Sequence, residues 1–230
     1  MKKRGTLIVI EGTDGAGKAT QTRRLANTLR RMGKPVRTIS FPQYGEASAA
    51  PIEAYLRGEY GPLSSLTSHQ ASLLYAIDRV AARAKIERWL QEGCFVIADR
   101  YVTSNLAHQG AKISNRTARQ RFWQWSVDLE YRLLQIPRPD HTVVLFVPTT
   151  LTRQLNAKKH NRAYLKSKRD IAENDSHHQR QASSVYQELA QFFPGMTVIN
   201  CAPRGELLSI PVVHQLVLSA LNTTLRSKAK

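Results

Sequence analysis

Apolar residues fall along this chain in short unbroken runs, separated by longer stretches where they recur every three or four positions. Leu7-Ile8-Val9-Ile10, Phe95-Val96-Ile97-Ala98 and Val143-Val144-Leu145-Phe146 show no polar alternation. Strands of that kind bury both faces, as in a parallel sheet covered by helices. The pattern predicts strands at 7–11, 36–40, 95–98, 142–147 and 197–200. It predicts helices at 18–32, 52–56, 68–91, 116–134, 151–156, 175–192 and 212–225. Gly93 closes the third helix, and Pro137-Arg138-Pro139 enforces a break before the fourth strand. Alternating strands and helices imply an α/β fold, in which ligands sit at the carboxyl ends of the strands.

Composition narrows the class. A chain of 230 residues suits one domain spanning 1–230. No apolar run approaches the roughly 20 residues that cross a bilayer, so no membrane association is expected. Met1-Lys2-Lys3-Arg4 leads directly into strand residues and does not read as a signal peptide. Cys94 and Cys201 lie on separate apolar runs and read as buried thiols of a cytoplasmic protein. The formal charge is +17, from 34 Lys and Arg against 17 Asp and Glu. The basic residues are spread over many helices, apart from a local cluster between Arg153 and Arg169. Anionic small substrates account for part of the excess, and no stable nucleic-acid complex is expected.

The densest chemistry lies where the first strand breaks. Gly12-Thr13-Asp14-Gly15-Ala16-Gly17-Lys18 has the Gly-x-x-x-x-Gly-Lys spacing of a phosphate-binding loop, with a strand before it and a helix after it. Its glycines let successive backbone N–H groups turn toward a polyphosphate, and the following helix points its N-terminus at the same anion. Lys18 can reach the β- and γ-phosphates. Ala19 occupies the position where a Ser or Thr hydroxyl ordinarily meets Mg²⁺. Thr20 is rotated about 100° away on the helix. Water or a carboxylate must then complete the magnesium shell, and Asp14 is the nearest carboxylate.

A second group of motifs follows the other strands. Phe41-Pro42-Gln43-Tyr44-Gly45 follows the second strand, and Asp99-Arg100-Tyr101 through Ser104-Asn105 and His108 follows the third. Asp99 ends an apolar strand where a P-loop protein keeps a carboxylate near magnesium. Arg100 can fork onto a phosphate. Tyr75 and Arg79, spaced i, i+4, share one helix face and offer a ring and a donor to a nucleobase.

Together, Phe41-Pro42-x-Tyr44-Gly45, Leu74-Tyr75-Ala76-x-Asp78-Arg79, Asp99-Arg100-Tyr101-x-x-Ser104-Asn105-x-Ala107 and Arg138-Pro139-Asp140 resemble thymidylate kinase. That resemblance implies a P-loop NMP-kinase-like three-layer fold, with a five-stranded parallel sheet flanked by helices and a mobile lid at about 153–173. It implies ATP and dTMP as substrates, Mg²⁺ as cofactor and a homodimer built on the long helices. ATP would be held by Gly12, Thr13, Asp14, Gly15, Ala16, Gly17, Lys18, Ala19 and Thr20. The dTMP site would be formed by Phe41, Tyr44, Tyr75, Arg79, Arg100, Ser104, Asn105 and His108. Within it, Tyr75 would stack on thymine, Arg79 would bond its carbonyl, Asn105 would face the base edge, and Arg100 would grip the phosphate. Catalysis would fall to Lys18, Asp14, Arg100 and the lid arginines Arg153 and Arg162. Asp14, Asp99 and Glu173 would serve the metal. The chain departs from the family pattern at Ala19, Gln43, Tyr75 and His108 and in Phe146-Val147-Pro148, which lacks the aspartate often found there, and Gly15 stands where some members carry an arginine. Two alternatives stand beside this one: a kinase of another pyrimidine monophosphate such as dUMP or UMP, and a nucleotide-binding protein impaired in catalysis.

Overall fold

The computed structural model describes residues 4–148, 151, 172, 175–193 and 195–222. Five strands, β1 (Thr6–Gly12), β2 (Val36–Ser40), β3 (Phe95–Asp99), β4 (His141–Phe146) and β5 (Met196–Asn200), form one sheet in the order β2-β3-β1-β4-β5. Every pairing is parallel. All seven residues of β1 are buried, as its unbroken apolar run requires.

Side-chain alternation divides the core into two layers. Leu7, Val9, Val96, Ala98 and Val144 point to the face covered by α3 (Ser68–Gln91), α4 (Val102–Gly110), α5 (Arg116–Asp128) and α6 (Ser176–Phe192). Ile8, Ile10, Phe95, Ile97, Val143 and Leu145 point to the face covered by α1 (Lys18–Arg31) and α7 (Ile210–Ala220). The short helix α2 (Ala50–Leu56) packs Ile52, Tyr55 and Leu56 against Ala71 of α3 in a small third cluster. Trp123 lies in the first layer and donates from Nε1 to the Leu106 carbonyl at 3.1 Å. Both cysteines are buried and unbridged.

Two elements differ from the expectation. Residues 102–110 form a helix where only a motif was expected. Thr103, Ser104 and Asn105 are weak helix formers, and Tyr101 supplies no side-chain cap. The cap comes instead from β1, because Glu11 Oε1 accepts from the backbone N–H of Tyr101 at 2.8 Å and of Ser104 at 2.9 Å. The helix expected over 116–134 is α-helical only to Asp128, and then passes into a π-turn at Leu129–Leu133. That turn buries Glu130 completely and pairs it with Arg79. Strand ends otherwise fall within a residue of expectation. The last helix starts earlier, at Ile210, and ends at Ala220. The helix expected at 151–156 and the lid at 153–173 lie outside the described residues, save Leu151 and Ala172.

Candidate active site

The loop from Gly12 to Gly17 leaves the carboxyl end of β1, the central strand. Gly12 has φ of 141°, and a Cβ there would lie 2.1 Å from the Leu145 carbonyl oxygen, so the close approach of β4 requires glycine. Thr13 Oγ1 donates to the Val147 carbonyl at 3.2 Å, pinning the loop to the end of β4. Gly17, left-handed at φ 85°, caps α1, so the loop delivers the helix N-terminus. Lys18 is buried, and Nζ donates to the carbonyls of Gly12 at 3.0 Å and Thr13 at 2.9 Å. Burial, and then the neighbouring Arg100, bring its pKa down to about 8 against the pull of Asp14, Asp99 and Glu11. Ala19 is exposed on the first turn and Thr20 half-buried.

Beside this loop is a cavity of about 260 Å³. It brings together Asp14, Phe41, Tyr44, Tyr75, Arg79, Asp99, Arg100, Ser104, Asn105 and His108, which the sequence places in four separate segments. The register explains the meeting. Ser40 and Asp99 are partnered across β2 and β3, and Asp99 and Ile10 across β3 and β1, so the segments after β1, β2 and β3 emerge side by side.

Arg100 sits in the left-handed region at φ 67°, a conformation costly for a non-glycine residue. Its backbone N–H bonds the Ile10 carbonyl at 3.0 Å. Its guanidinium pairs with Asp14 and donates to Ser104 Oγ at 3.3 Å. Asp14 also accepts from Gln179 Nε2 at 2.9 Å and lies 3.5 Å from Lys18 Nζ. Burial alone would raise the Asp14 pKa, but Arg100 and then Lys18 outweigh it and hold the carboxylate well below its usual range. Asp99 is pushed the other way, chiefly by burial, with Lys18 and Arg100 opposing.

Several polar atoms around the cavity are buried with no hydrogen-bond partner among the described residues. They are Oδ1 and Nδ2 of Asn105, Nε2 of His108 and Oε1 of Gln109. Burying such groups unpaired costs free energy, and all three residues belong to α4 and line the cavity. His108 packs against His178 and Tyr186, and burial lowers its pKa to about 3, so its imidazole is neutral at physiological pH.

Several supporting residues lie outside the expected site residues, and of these Asp78 alone stands in one of the motifs above, Leu74–Arg79. Glu130 takes two hydrogen bonds from Arg79, through Nε and Nη2, so part of the Arg79 guanidinium is committed within the protein. Asp78 accepts from Gln43 N and Nε2 and from Ser48 Oγ, holding the loop after β2 against α3. Gln179 and Tyr186 reach the site from α6, and Glu11 from β1. Only the adjacency of Glu11 to the phosphate loop, and the buried acid amid apolar neighbours, hinted at its place. Arg153, Arg162 and Glu173 lie outside the described residues.

A phosphate loop after the central strand, beside a cavity that Arg100 lines at the same carboxyl end of the sheet, belongs to a P-loop nucleoside-monophosphate-kinase fold. The thymidylate kinase family profile matches residues 10–209. The chain belongs to the thymidylate kinase family. It is 37% identical over 185 residues to the thymidylate kinase of Mycobacterium tuberculosis (strain ATCC 25618 / H37Rv), covering 80% of this chain and 85% of that protein. It is 31% identical over 218 residues to a probable thymidylate kinase of Pyrococcus horikoshii, covering 92% and 93%. The solved thymidylate kinase of Candida albicans shares the fold, with a TM-score of 0.71 and 23% identity over 96% of this chain and 92% of that one.

Proposed function

We propose that this protein transfers the γ-phosphoryl group of ATP to dTMP, giving dTDP and ADP. The observation that carries this reading is the cavity beside the phosphate loop, where Arg100 and the unpartnered Asn105 and His108 converge with the Tyr75 side chain. The loop amides and Lys18 would hold the β- and γ-phosphates. Arg100 would turn part of its charge from Asp14 to the dTMP phosphate. A dTMP phosphate oxygen attacks the γ-phosphorus, while the bond from that phosphorus to the β–γ bridging oxygen breaks and its electrons leave with ADP. The acceptor phosphate is already ionised at neutral pH and needs no general base. Positioning and charge neutralisation therefore supply the rate.

Tyr75 would stack on the base. Asn105, through both amide atoms, and the uncommitted N–H groups of Arg79 would bond its edge. His108 would meet the sugar with a neutral ring nitrogen. Mg²⁺, when bound, would neutralise the charge that develops on the phosphates. The donor set fits it: Asp99 offers a carboxylate beside Lys18, and Mg²⁺ commonly takes one or two carboxylates plus phosphates and waters. Asp14 is already engaged by Arg100, Lys18 and Gln179, which favours Asp99 for that place. We further propose that Arg153 and Arg162 bring positive charge over the phosphates from a lid, with Glu173 helping to hold it. In this reading the enzyme is cytoplasmic and homodimeric. Among the described residues no helix is long and apolar enough to cross a membrane.

The test is ADP release across a panel of monophosphates. dTMP is expected to outrank AMP, CMP, GMP and UMP. Against dUMP the margin is modest, since one methyl group contributes about 1–3 kcal/mol. Equal turnover of dTMP and UMP would overturn the assignment.

A further inference from the structure

We propose that Glu11 is a positioning residue for phosphoryl transfer, locking the turn that carries Arg100 and the helix α6 to the base of the phosphate loop. The proposal rests on the reading of Arg100 as the acceptor-phosphate ligand. Glu11 is fully buried and directly precedes Gly12. Its carboxylate takes four hydrogen bonds. Oε1 accepts from Tyr101 N at 2.8 Å and Ser104 N at 2.9 Å. Oε2 accepts from Ser104 Oγ at 2.6 Å and Tyr186 Oη at 3.1 Å. A buried carboxylate surrounded by donors is costly to disturb, because each lost acceptor leaves a buried N–H or O–H unpaired.

The geometry gives these bonds a purpose beyond capping a helix. Arg100 is the residue immediately before this clamp, and it stands in the left-handed region at φ 67°. Such backbone persists only where its surroundings fix it. Glu11 fixes the N–H groups on its carboxyl side, and Ile10 fixes that of Arg100 itself, at 3.0 Å. Ser104 Oγ, held by Glu11, lies 3.3 Å from Arg100 Nη1 and so limits where the guanidinium points. Through Tyr186 the same carboxylate holds α6, whose first turn places Gln179 on Asp14 and His178 against His108. One anion thus sets the relation between the donor loop, the acceptor arginine and the helix facing both.

Glu11→Gln is the informative change. It keeps an oxygen for the two backbone N–H groups but replaces Oε2 with a donor, so the hydroxyls of Ser104 and Tyr186 must turn away. Steady-state kinetics should show kcat/KM for dTMP falling up to about 100-fold, the loss typical of a small misplacement near the reacting groups. KM for ATP should stay within about twofold, since the loop amides and Lys18 are untouched. Tyr186→Phe leaves the bonds from Tyr101 N and Ser104 to Glu11 in place and should lower kcat/KM for dTMP in the same direction by a smaller factor. Combined with Glu11→Gln it should add little, because both changes remove the same bond. Should Glu11→Gln fail to fold, Tyr186→Phe alone decides. Variants with kcat/KM for dTMP within twofold of wild type would overturn the proposal, as would a rise in KM for ATP as large as the loss in kcat/KM for dTMP. Arg100→Lys, run alongside, separates the two readings. An unchanged KM for dTMP in that variant rejects the role given to Arg100, whatever Glu11→Gln does.

Discussion

At the scale of single residues the site is governed by a few buried charges competing for one another. Lys18 illustrates the balance. Burial and Arg100 bring its pKa from 10.5 to about 8, while three carboxylates pull it back. Two pH effects of opposite sign follow. Between pH 8 and 10.5 the unfolded chain keeps a proton on this lysine that the folded protein has released, so this group's contribution to stability rises with pH. Nucleotide affinity moves the other way, because above pH 8 the loop faces the triphosphate without its ammonium. Calorimetric titration of ADP in buffers of different ionisation enthalpy should show proton uptake growing as pH is raised toward 8. Lys18→Met should bind ADP more weakly and lose that uptake. An identical pH profile in the two proteins would remove Lys18 from the titration.

At the scale of elements, the irregular pieces place the chemistry. The π-turn at Leu129–Leu133 swings Glu130 inward to meet Arg79, which is 2% exposed, and so steadies the middle of α3 beneath the cavity. Removing one partner of such a pair strands the other charge in the interior. Glu130→Ala is therefore expected to lose about 3–5 kcal/mol of stability. Urea unfolding monitored by tryptophan fluorescence measures it, and a loss below about 1 kcal/mol would show that water reaches Arg79. The two misjudged elements share a cause. Periodicity reported the apolar faces of α5 and its continuation, but a π-turn is set by what its side chains meet. Likewise α4 carries weak helix formers, and its N-terminal N–H groups are capped from β1, about ninety residues earlier in the chain. No local pattern encodes that cap.

At the scale of the whole molecule, the two-layered core leaves an apolar row on α3 uncovered by the described residues. Leu73, Ile77 and Val80 follow one another along α3 at i, i+4 and i+7, and Ile77 is 56% exposed. Such a row suits the homodimer proposed above. Sedimentation should show a dimer for the wild type, with Ile77→Asp shifting the equilibrium toward monomer. A wild-type monomer at tens of micromolar would exclude that arrangement. The row belongs to the helix that also carries Tyr75 and Arg79, so dimer loss is expected to raise KM for dTMP as well.

By itself the sequence determined the order and kind of nearly every element, because runs buried on both faces and helical periodicity are local. It also determined the phosphate loop, and it named most residues that line the cavity beside it, from short motifs at strand ends and on α3. The tertiary structure alone decided who neutralises whom. Glu11 with Ser104 and Tyr186, Glu130 with Arg79, Asp78 with Gln43, and Gln179 with Asp14 are all pairings across distant segments. Burial makes each of them obligatory, since a charge removed from water needs a partner, and only the folded chain brings one within reach.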